Sequence, residues 1–329
     1  MLPRLEISFD GREPIAEIFE KTRAAAENGA TTVWLASHLF EQDPVSCAAV
    51  MLDRFPTLDI VLMAISPLVL HPVQIAMSAA SLDEMFPGRV SVCLGVGSPD
   101  DLGSAGIDAD KPLQAMKEAL ALCRALLSGD KITLEGQRFG VKGRALRSGS
   151  HPVPLLMAAS GPKMLELARS EADGVLLSAA SSREFIKSTI TRLHAGKPAR
   201  PCFDNCGLVY VSLDDDRAVA MERLRSKLAV TLRGAHHAAN LEAAGSKLDQ
   251  TALRDAFTAG RNSDAAQIVP DQVVLNHSAA GTPAELPAMI QTYRDAGLDR
   301  MILSAFGSVA EIETAMKTMK TTERLSDEV

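Results

Sequence analysis

Aromatic side chains are scarce in this sequence, at 4% of the residues, so an aromatic cage or a base-stacking platform is not expected. An excess of basic residues is also lacking: 34 lysines and arginines face 41 acidic residues, and the net charge of -7 argues against a nucleic-acid partner. No apolar run reaches the roughly 20 residues that cross a bilayer, and the amino terminus M-L-P-R-L-E-I-S does not have the form of a signal peptide. These absences predict a cytoplasmic protein without a nucleic-acid or membrane partner.

Cysteines are few, odd in number and scattered along the chain. They are Cys47, Cys93, Cys123, Cys202 and Cys206. We interpret them as reduced thiols, with Cys93 as a small core residue inside a strand. The sequence also lacks an H-E-x-x-H pair, a spaced carboxylate cluster, a G-x-S-x-G elbow and a Walker loop. No metal site is therefore predicted.

The residues that are abundant indicate a globular protein with a large core. Hydrophobic residues make up 47% and charged residues 23% of the chain. At 329 residues the chain has room for two ordinary domains or for one large α/β barrel, which takes about 250 residues plus insertions.

The stretch Pro154 to Ser178 contains two predicted strands and the helix between them. The apolar run Leu155–Ala159 is too short for a helix and ends at S-G-P, where proline suits the first helical position. The helix begins at Pro162, and the next strand is Val175–Leu177. A helix that starts there aims its unpaired N–H groups at the carboxyl ends of the strands, where phosphate is held in such units. Lys163 adds positive charge. The alternative is a plain turn with a solvated lysine.

The whole chain alternates in the same way between short apolar strands and amphipathic helices. The predicted strands are Leu5–Ser8, Thr32–Ala36, Ile60–Ile65, Val90–Leu94, Leu155–Ala159, Val175–Leu177, Asn205–Ser212 and Met301–Ser304. Eight strands predict a single TIM (β/α)8 barrel over residues 1–329, with an excursion at about 131–152 and a strandless helical insertion after strand 7 at about 214–280. A doubly wound open sheet is the alternative. In a barrel, the active site lies at the carboxyl ends of the strands.

Four segments carry a resemblance to a known family. They are T-V-W-L-A-S-H-L-F at 32–40, H-P-V-Q-I-A-M-S-A-A-S-L-D-E-M-F-P-G-R-V at 71–90, L-G-V-G at 94–97, and A-A-S-G-P-K-M-L-E-L-A with A-D-G-V-L-L within 158–177. Together they resemble the luciferase-like oxidoreductases, barrels that use FMN or the deazaflavin coenzyme F420. The A-A-S-G-P-K-M-L-E-L-A run is most similar to the branch of F420-dependent methylenetetrahydromethanopterin reductases.

The resemblance implies hydride transfer between F420 and a small organic substrate. The alternative is an FMN-dependent two-component monooxygenase, which uses O2 and reduced flavin from a separate reductase. A third possibility is a barrel that binds flavin without catalysing a reaction. The presence of His38 and Asp100 at strand exits argues against it. The substrate itself is not identified, and its contacts are expected from the excursion and the insertion.

The resemblance also implies which residues bind the cofactor. The implied set is Ala159, Ser160, Gly161, Pro162, Lys163, Met164 and Ser178 at the phosphate, and Ala64, Ile65, Ser66, Gly95 and Gly97 at the ring. A strained peptide bond near Ala64, such as a non-proline cis peptide, would support the ring, and the two glycines would let the backbone approach it closely.

His38, at the exit of the second strand, is the candidate proton-handling group, because imidazole exchanges a proton near neutral pH. The resemblance implies that Asp100 is the matching acidic residue. The family usually has an acidic residue where this chain has Ser37, and Pro99 replaces a common glycine. The alternatives are a hydrogen-bonded structural histidine and a solvated carboxylate.

Two predicted helices, Pro44–Leu52 and Pro72–Met85, carry more alanine, valine, leucine and methionine than one face against a barrel needs. Apolar patches of this kind mark interfaces, so a homodimer is expected. The competing explanation is that both helices only pack on the barrel and on each other.

Overall fold

The computed structural model describes residues 5–195 and 199–327. Its strands are β1 (Glu6–Phe9), β2 (Thr32–Ala36), β3 (Asp59–Ile65), β4 (Val90–Leu94), β5 (Ile132–Leu134), β6 (Val141–Arg144), β7 (Leu155–Ala158), β8 (Gly174–Leu177), β9 (Asp204–Leu213), β10 (Ala279–Gly281) and β11 (Arg300–Ser304). Its α-helices are α1 (Ile15–Glu27), α2 (Pro44–Arg54), α3 (Pro72–Met85), α4 (Pro99–Ser104), α5 (Pro112–Leu127), α6 (Pro162–Glu171), α7 (Arg183–Ala195), α8 (Arg217–Leu232), α9 (Ala238–Ala243), α10 (Gln250–Thr258), α11 (Asn262–Gln267), α12 (Asp271–His277), α13 (Leu286–Asp295) and α14 (Val309–Asp327).

Eight parallel strands close into a barrel. The order around it is β1, β2, β3, β4, β7, β8, β9 and β11, and β11 pairs with β1 to complete the circle. Every neighbouring pair in this circle is parallel, so all eight carboxyl ends open on the same side. The prediction of a TIM barrel is confirmed, and the open sheet is excluded by the closure.

Two segments leave the barrel pattern. The first, between α5 and β7, contains the antiparallel hairpin β5–β6. The second, after β9, contains α8 to α12, and Asp216 begins it by accepting a hydrogen bond from the amide of Ala218. The expectation that this second segment has no strand is wrong at its end, because β10 pairs in parallel with β9 beside the barrel.

Three groups of buried apolar side chains hold the molecule together. The largest fills the space between the barrel and its helices. The interior of the barrel holds a small group that includes Trp34, Ile302 and Cys93, and the buried position of Cys93 agrees with its interpretation as a core residue. The helices of the insertion enclose a group of their own, with Leu228, Leu253 and Val273 all fully buried.

A buried ion pair lies inside the barrel, on the strands β1 and β11. The guanidinium of Arg300 donates to both carboxylate oxygens of Glu6, at 2.8 and 2.9 Å, and the indole of Trp34 donates to the same carboxylate at 2.6 Å. Arg300 also lies over the Trp34 ring and approaches Asp204 at 3.4 Å. Glu6 and Trp34 are fully shielded from solvent, so this carboxylate depends on its two partners.

Candidate active site

A cavity of about 610 Å³ opens at the carboxyl ends of the barrel strands. Most of the predicted site residues line it. They are His38, Ala64, Ser66, Gly95, Gly97, Ala159, Ser160, Gly161, Met164 and Ser178. The barrel topology explains the convergence, because the ends of β2, β3, β4, β7 and β8 are neighbours around the rim. Four predicted residues do not line the cavity: Ile65, Asp100, Pro162 and Lys163.

The floor of the cavity is made of very small residues. A Cβ atom added to Gly95 would lie 2.7 Å from the Cβ of Ala64 and 3.4 Å from the Cβ of Ala158, so only glycine fits between these neighbours. The hydroxyl of Ser66 donates to the carbonyl of Val96 at 2.6 Å and ties the exits of β3 and β4 together. The result is a surface without protruding side chains at Gly95, which leaves room for a planar ring to approach the backbone.

Two details at the end of β3 differ from expectation. The side chain of Ile65 belongs to the core between the barrel and its helices, so it supports the floor from behind and does not line the cavity. The strained peptide bond expected near Ala64 is not found: throughout residues 5–195 and 199–327 no peptide bond is cis. Instead, β3 pairs with β4 through a shift of register between Leu62 and Ile65, and this irregularity turns the chain at the floor.

The amino terminus of α6 forms another part of the wall. Its capping position is Gly161, which has no side chain that could accept from the first-turn amides, and Pro162 occupies the first helical position. A Cβ added to Gly161 would meet nothing within 4 Å, so there is open space in front of this helix end. Free backbone donors, the positive end of the helix dipole and open space are the features by which helix ends bind anions. Lys163 lies exposed in the same turn, outside the cavity lining.

His38 follows β2 and reaches the cavity half-buried. Within the described part of the chain its imidazole has no hydrogen-bond partner from the protein. Burial lowers the pKa of His38, and the nearby Arg12 guanidinium lowers it further. The carboxylates of Asp10 and Asp101 act in the opposite direction on this pKa without reversing it. The imidazole is therefore neutral near pH 7 and able to accept a proton.

The family is decided by the sequence comparison. Residues 4–300 match the luciferase-like monooxygenase family. The chain belongs to this family. The resemblance stated above is thereby confirmed, and this luciferase-like chain is an oxidoreductase.

Individual relatives cover almost the full length of this luciferase-like chain. The 5,10-methylenetetrahydromethanopterin reductase of Methanolobus tindarius is 29% identical over 306 residues, or 90% of this chain and 92% of its own. An F420-dependent glucose-6-phosphate dehydrogenase of Gordonia bronchialis is 24% identical over 321 residues, covering 91% and 89%. The structure of the coenzyme F420 dependent tetrahydromethanopterin reductase from Methanopyrus kandleri superposes with a TM-score of 0.88 at 19% identity, over 98% and 99% of the two chains.

The acidic residue that lines the cavity of this luciferase-like chain is Asp101 and not Asp100. Both lie in the short helix α4. Successive side chains on a helix point about 100° apart, so the two carboxylates cannot face the same way. The side chain of Asp100 is 78% exposed and pairs with Arg233 at 3.4 Å, at the end of α8. A signal for α4 exists in the sequence, since Ser98 caps it and Pro99 begins it.

His236 also lines the cavity, although the sequence reading gave it no role. It comes from a 3-10 turn, Ala235–His237, inside the insertion. No periodic pattern or motif marks this turn, and its place in the site depends on how the insertion folds back on the barrel. Among the residues that the structure describes, no group of three or more His, Cys, Asp or Glu side chains could hold a metal ion. In the same residues, no helix is long and apolar enough to span a membrane.

Proposed function

We propose that this chain transfers a hydride between coenzyme F420 and a small organic substrate in the carboxyl-end cavity. The observation that carries the proposal is that one cavity joins a floor of small residues at Gly95 to an uncapped helix end at Gly161. A deazaflavin or flavin ring needs the first feature and its phosphate needs the second. The choice of F420 over FMN is supported by the Gordonia bronchialis relative, which is named as F420-dependent.

Different residues of the cavity bind the cofactor and transfer the proton. The floor residues Ala64, Gly95 and Ala158 orient the ring, and the first turn of α6 holds the phosphate. When bound, F420 supplies the carbon that accepts or gives the hydride. His38 takes up or returns the proton that the substrate loses or gains, because its imidazole is neutral near pH 7 and faces the cavity.

Binding and turnover distinguish this proposal from the FMN-dependent monooxygenase. The purified protein is titrated separately with F420 and with FMN, and the quenching of its tryptophan fluorescence is followed. The F420 complex is then mixed without oxygen with 5,10-methylenetetrahydromethanopterin, glucose 6-phosphate or 2-propanol, and the F420 absorbance is recorded. We expect F420 to bind more tightly and its absorbance to change without O2. Tight FMN binding together with O2 consumption by the reduced FMN complex would support the monooxygenase instead.

Reversing the charge at residue 163 should weaken F420 binding about three- to tenfold, because Lys163→Glu places a negative charge in the first turn of α6 beside the phosphate. The measurement is a fluorescence titration with F420. Lys187→Glu is the matched control, since Lys187 is an exposed lysine on α7 that does not line the cavity. If both variants bind F420 with the same affinity as the unchanged protein, the first turn of α6 does not bind the phosphate.

We also propose a homodimer formed through α2 and α3. Several apolar residues of these helices, including Ala48, Leu52, Ala76 and Ala80, are buried within the chain itself. Three others remain uncovered: Val50 is 42%, Met77 52% and Met85 57% exposed. We name these three the α2–α3 surface. Large apolar side chains left uncovered on two successive helices of the barrel support an interface.

Met77→Glu should shift the protein towards the monomer, because a carboxylate cannot be buried at an apolar interface without a partner. Sedimentation equilibrium at micromolar protein gives the mass. Val219→Glu on α8 is the control, since Val219 is a similarly exposed valine outside the α2–α3 surface. A mass near the 35.0 kDa of one chain for the unchanged protein would rule the dimer out.

The exposure of the cysteines bears on the cellular compartment of the protein. We propose that the protein acts in the cytoplasm on a small-molecule substrate. Four of the five thiols are buried, as expected of reduced cysteines, and Cys202 alone is exposed. A separate flavin reductase would be required as a partner only by the monooxygenase alternative.

A further inference from the structure

His236 is held in the cavity wall by two neighbouring residues. A Cβ added to Gly234 would lie 2.6 Å from the Cε1 atom and 2.8 Å from the Nδ1 atom of His236, so the imidazole rests directly against the backbone of this glycine. The ring also packs on the ring of His237, with centroids 4.2 Å apart. The backbone of Gly234 is in the extended region that any residue adopts, so glycine is needed here for space and not for its conformational freedom.

A buried polar network fastens this turn to the barrel. The side-chain amide of Asn240 donates to the carbonyl of Ala180 at 2.8 Å and accepts from the backbone amide of Ser182 at 2.8 Å. His277 reaches the same carbonyl at 2.9 Å. Asn240 and His277 are each 1% exposed. Ala180 follows Ser178 at the exit of β8, so the network ties the insertion to the same loop that lines the cavity.

The charges around the cavity limit what it can hold beside the cofactor. Within the described residues no lysine or arginine lines it, and Asp101 is its one acidic side chain. The cationic groups Arg12 and Lys227 line a separate cavity of about 390 Å³ between β1 and β11. His236 keeps an exposed face, but its partial burial lowers its pKa, as burial does that of His38, so both imidazoles are neutral near pH 7. A neutral imidazole donates one hydrogen bond and accepts one, which suits an uncharged oxygen.

We propose that His236 contacts the substrate directly, through a hydrogen bond to an uncharged hydroxyl or carbonyl oxygen, and that this contact selects alcohols and carbonyl compounds. The inference rests on the proposed function. In the oxidation of an alcohol, the C–H and O–H bonds break and the C=O bond forms. The hydride leaves with two electrons to F420 and the proton passes to His38, so charge and electrons balance.

The variants separate the chemistry of the imidazole from its position. His236→Ala removes the ring, His236→Gln keeps a hydrogen-bonding group, and Gly234→Ala leaves the ring intact but displaces it. Ala239→Ser, an exposed change in α9, is the control. With 2-propanol as the uncharged probe, His236→Ala and Gly234→Ala should raise KM about three- to tenfold, with kcat less affected. His236→Gln should recover part of the loss, and Ala239→Ser should not change KM.

A second readout does not depend on turnover. The titration of the His236 ring is followed by NMR in the cofactor complex, with and without 2-propanol, using His236→Gln to assign the signal. We expect bound 2-propanol to shift the apparent pKa of His236, and glucose 6-phosphate, which is an anion, to bind less well than 2-propanol. An unshifted titration, a lack of saturable 2-propanol binding, or equal KM values for all four variants would overturn the inference. The proposed function fails separately, if the parallel titration shows no F420 binding.

Discussion

His38→Ala should lower kcat by about a hundredfold or more, while the melting temperature stays near that of the unchanged protein. The side chain lines the cavity and is held by no hydrogen bond to the described residues, so its removal takes away a proton acceptor without breaking a structural contact. Steady-state kinetics and thermal unfolding of the same preparation test this. Loss of soluble protein, with normal activity in the part that remains soluble, would show that His38 has a structural role instead.

The pH dependence of the activity shows whether nearby charges raise or lower the pKa of His38. Activity that needs the neutral imidazole falls as the pH drops through its pKa, which lies below the ordinary value for histidine. Arg12→Gln removes a positive charge, so the pKa of His38 should rise and the acid limb should move to higher pH. Because Arg12 is 48% exposed, solvent screens it and the shift should stay below about one pH unit.

Two further variants control the pH experiment. Asp101→Asn removes a negative charge near His38, so the acid limb should move in the opposite direction, to lower pH. Arg54→Gln removes a distant exposed arginine at the end of α2 and should leave the limb in place. Shifts of the same sign for Arg12→Gln and Asp101→Asn would show that the limb does not report on His38.

Glu6→Ala should reduce the free energy of unfolding by about 3–5 kcal/mol, the usual result of removing one partner from a buried ion pair. Glu6 accepts from both Arg300 and Trp34 inside the barrel, and the Arg300 side chain is only 10% exposed, so the guanidinium that remains is largely shielded from water. The buried charge of Arg300 would then be left with Asp204 alone, at 3.4 Å. Denaturant unfolding followed by the fluorescence of the one tryptophan, Trp34, measures the loss.

The matched control is an exposed pair on α14. Lys317 and Glu313 lie 3.0 Å apart with side chains 62% and 40% exposed, so Glu313→Ala should change the free energy of unfolding by only about 0.3–0.5 kcal/mol. The double variant Glu6→Ala with Arg300→Met should regain part of the loss, because it leaves no unpaired charge inside the barrel. A loss as small for Glu6→Ala as for Glu313→Ala would mean that the buried pair does not support the fold.

The barrel strands could be predicted from the sequence because each short apolar run is bounded by residues that favour turns. Thr32–Ala36 and Val90–Leu94 were predicted residue for residue, since each is a buried run bounded by polar or glycine-rich segments. The short strand β10 was not predicted, because Ala279–Gly281 has no apolar pattern and its pairing with β9 is a contact between distant parts of the chain. Local sequence cannot report contacts between distant segments.

The residues that line the candidate cavity could be predicted from the sequence where they follow strand ends, and less well elsewhere. His38, Gly95 and Ser160 follow strands directly, so the barrel topology brings them together. Asp101 in place of Asp100 depends on the rotation of α4, which changes the direction of a side chain with every residue. His236 depends on the packing of the insertion against the exit of β8, through Asn240 and the carbonyl of Ala180. Neither feature leaves a periodic signal in the sequence.

The insertion has an apolar core that is separate from the core of the barrel. A mutation that repacks Leu228 or Val273 can therefore move His236 while Gly95 and the first turn of α6 stay in place. If His236 selects the substrate as proposed, a directed-evolution library confined to the helices α8 to α12 should change which molecule is oxidised or reduced more than it changes the affinity for the cofactor.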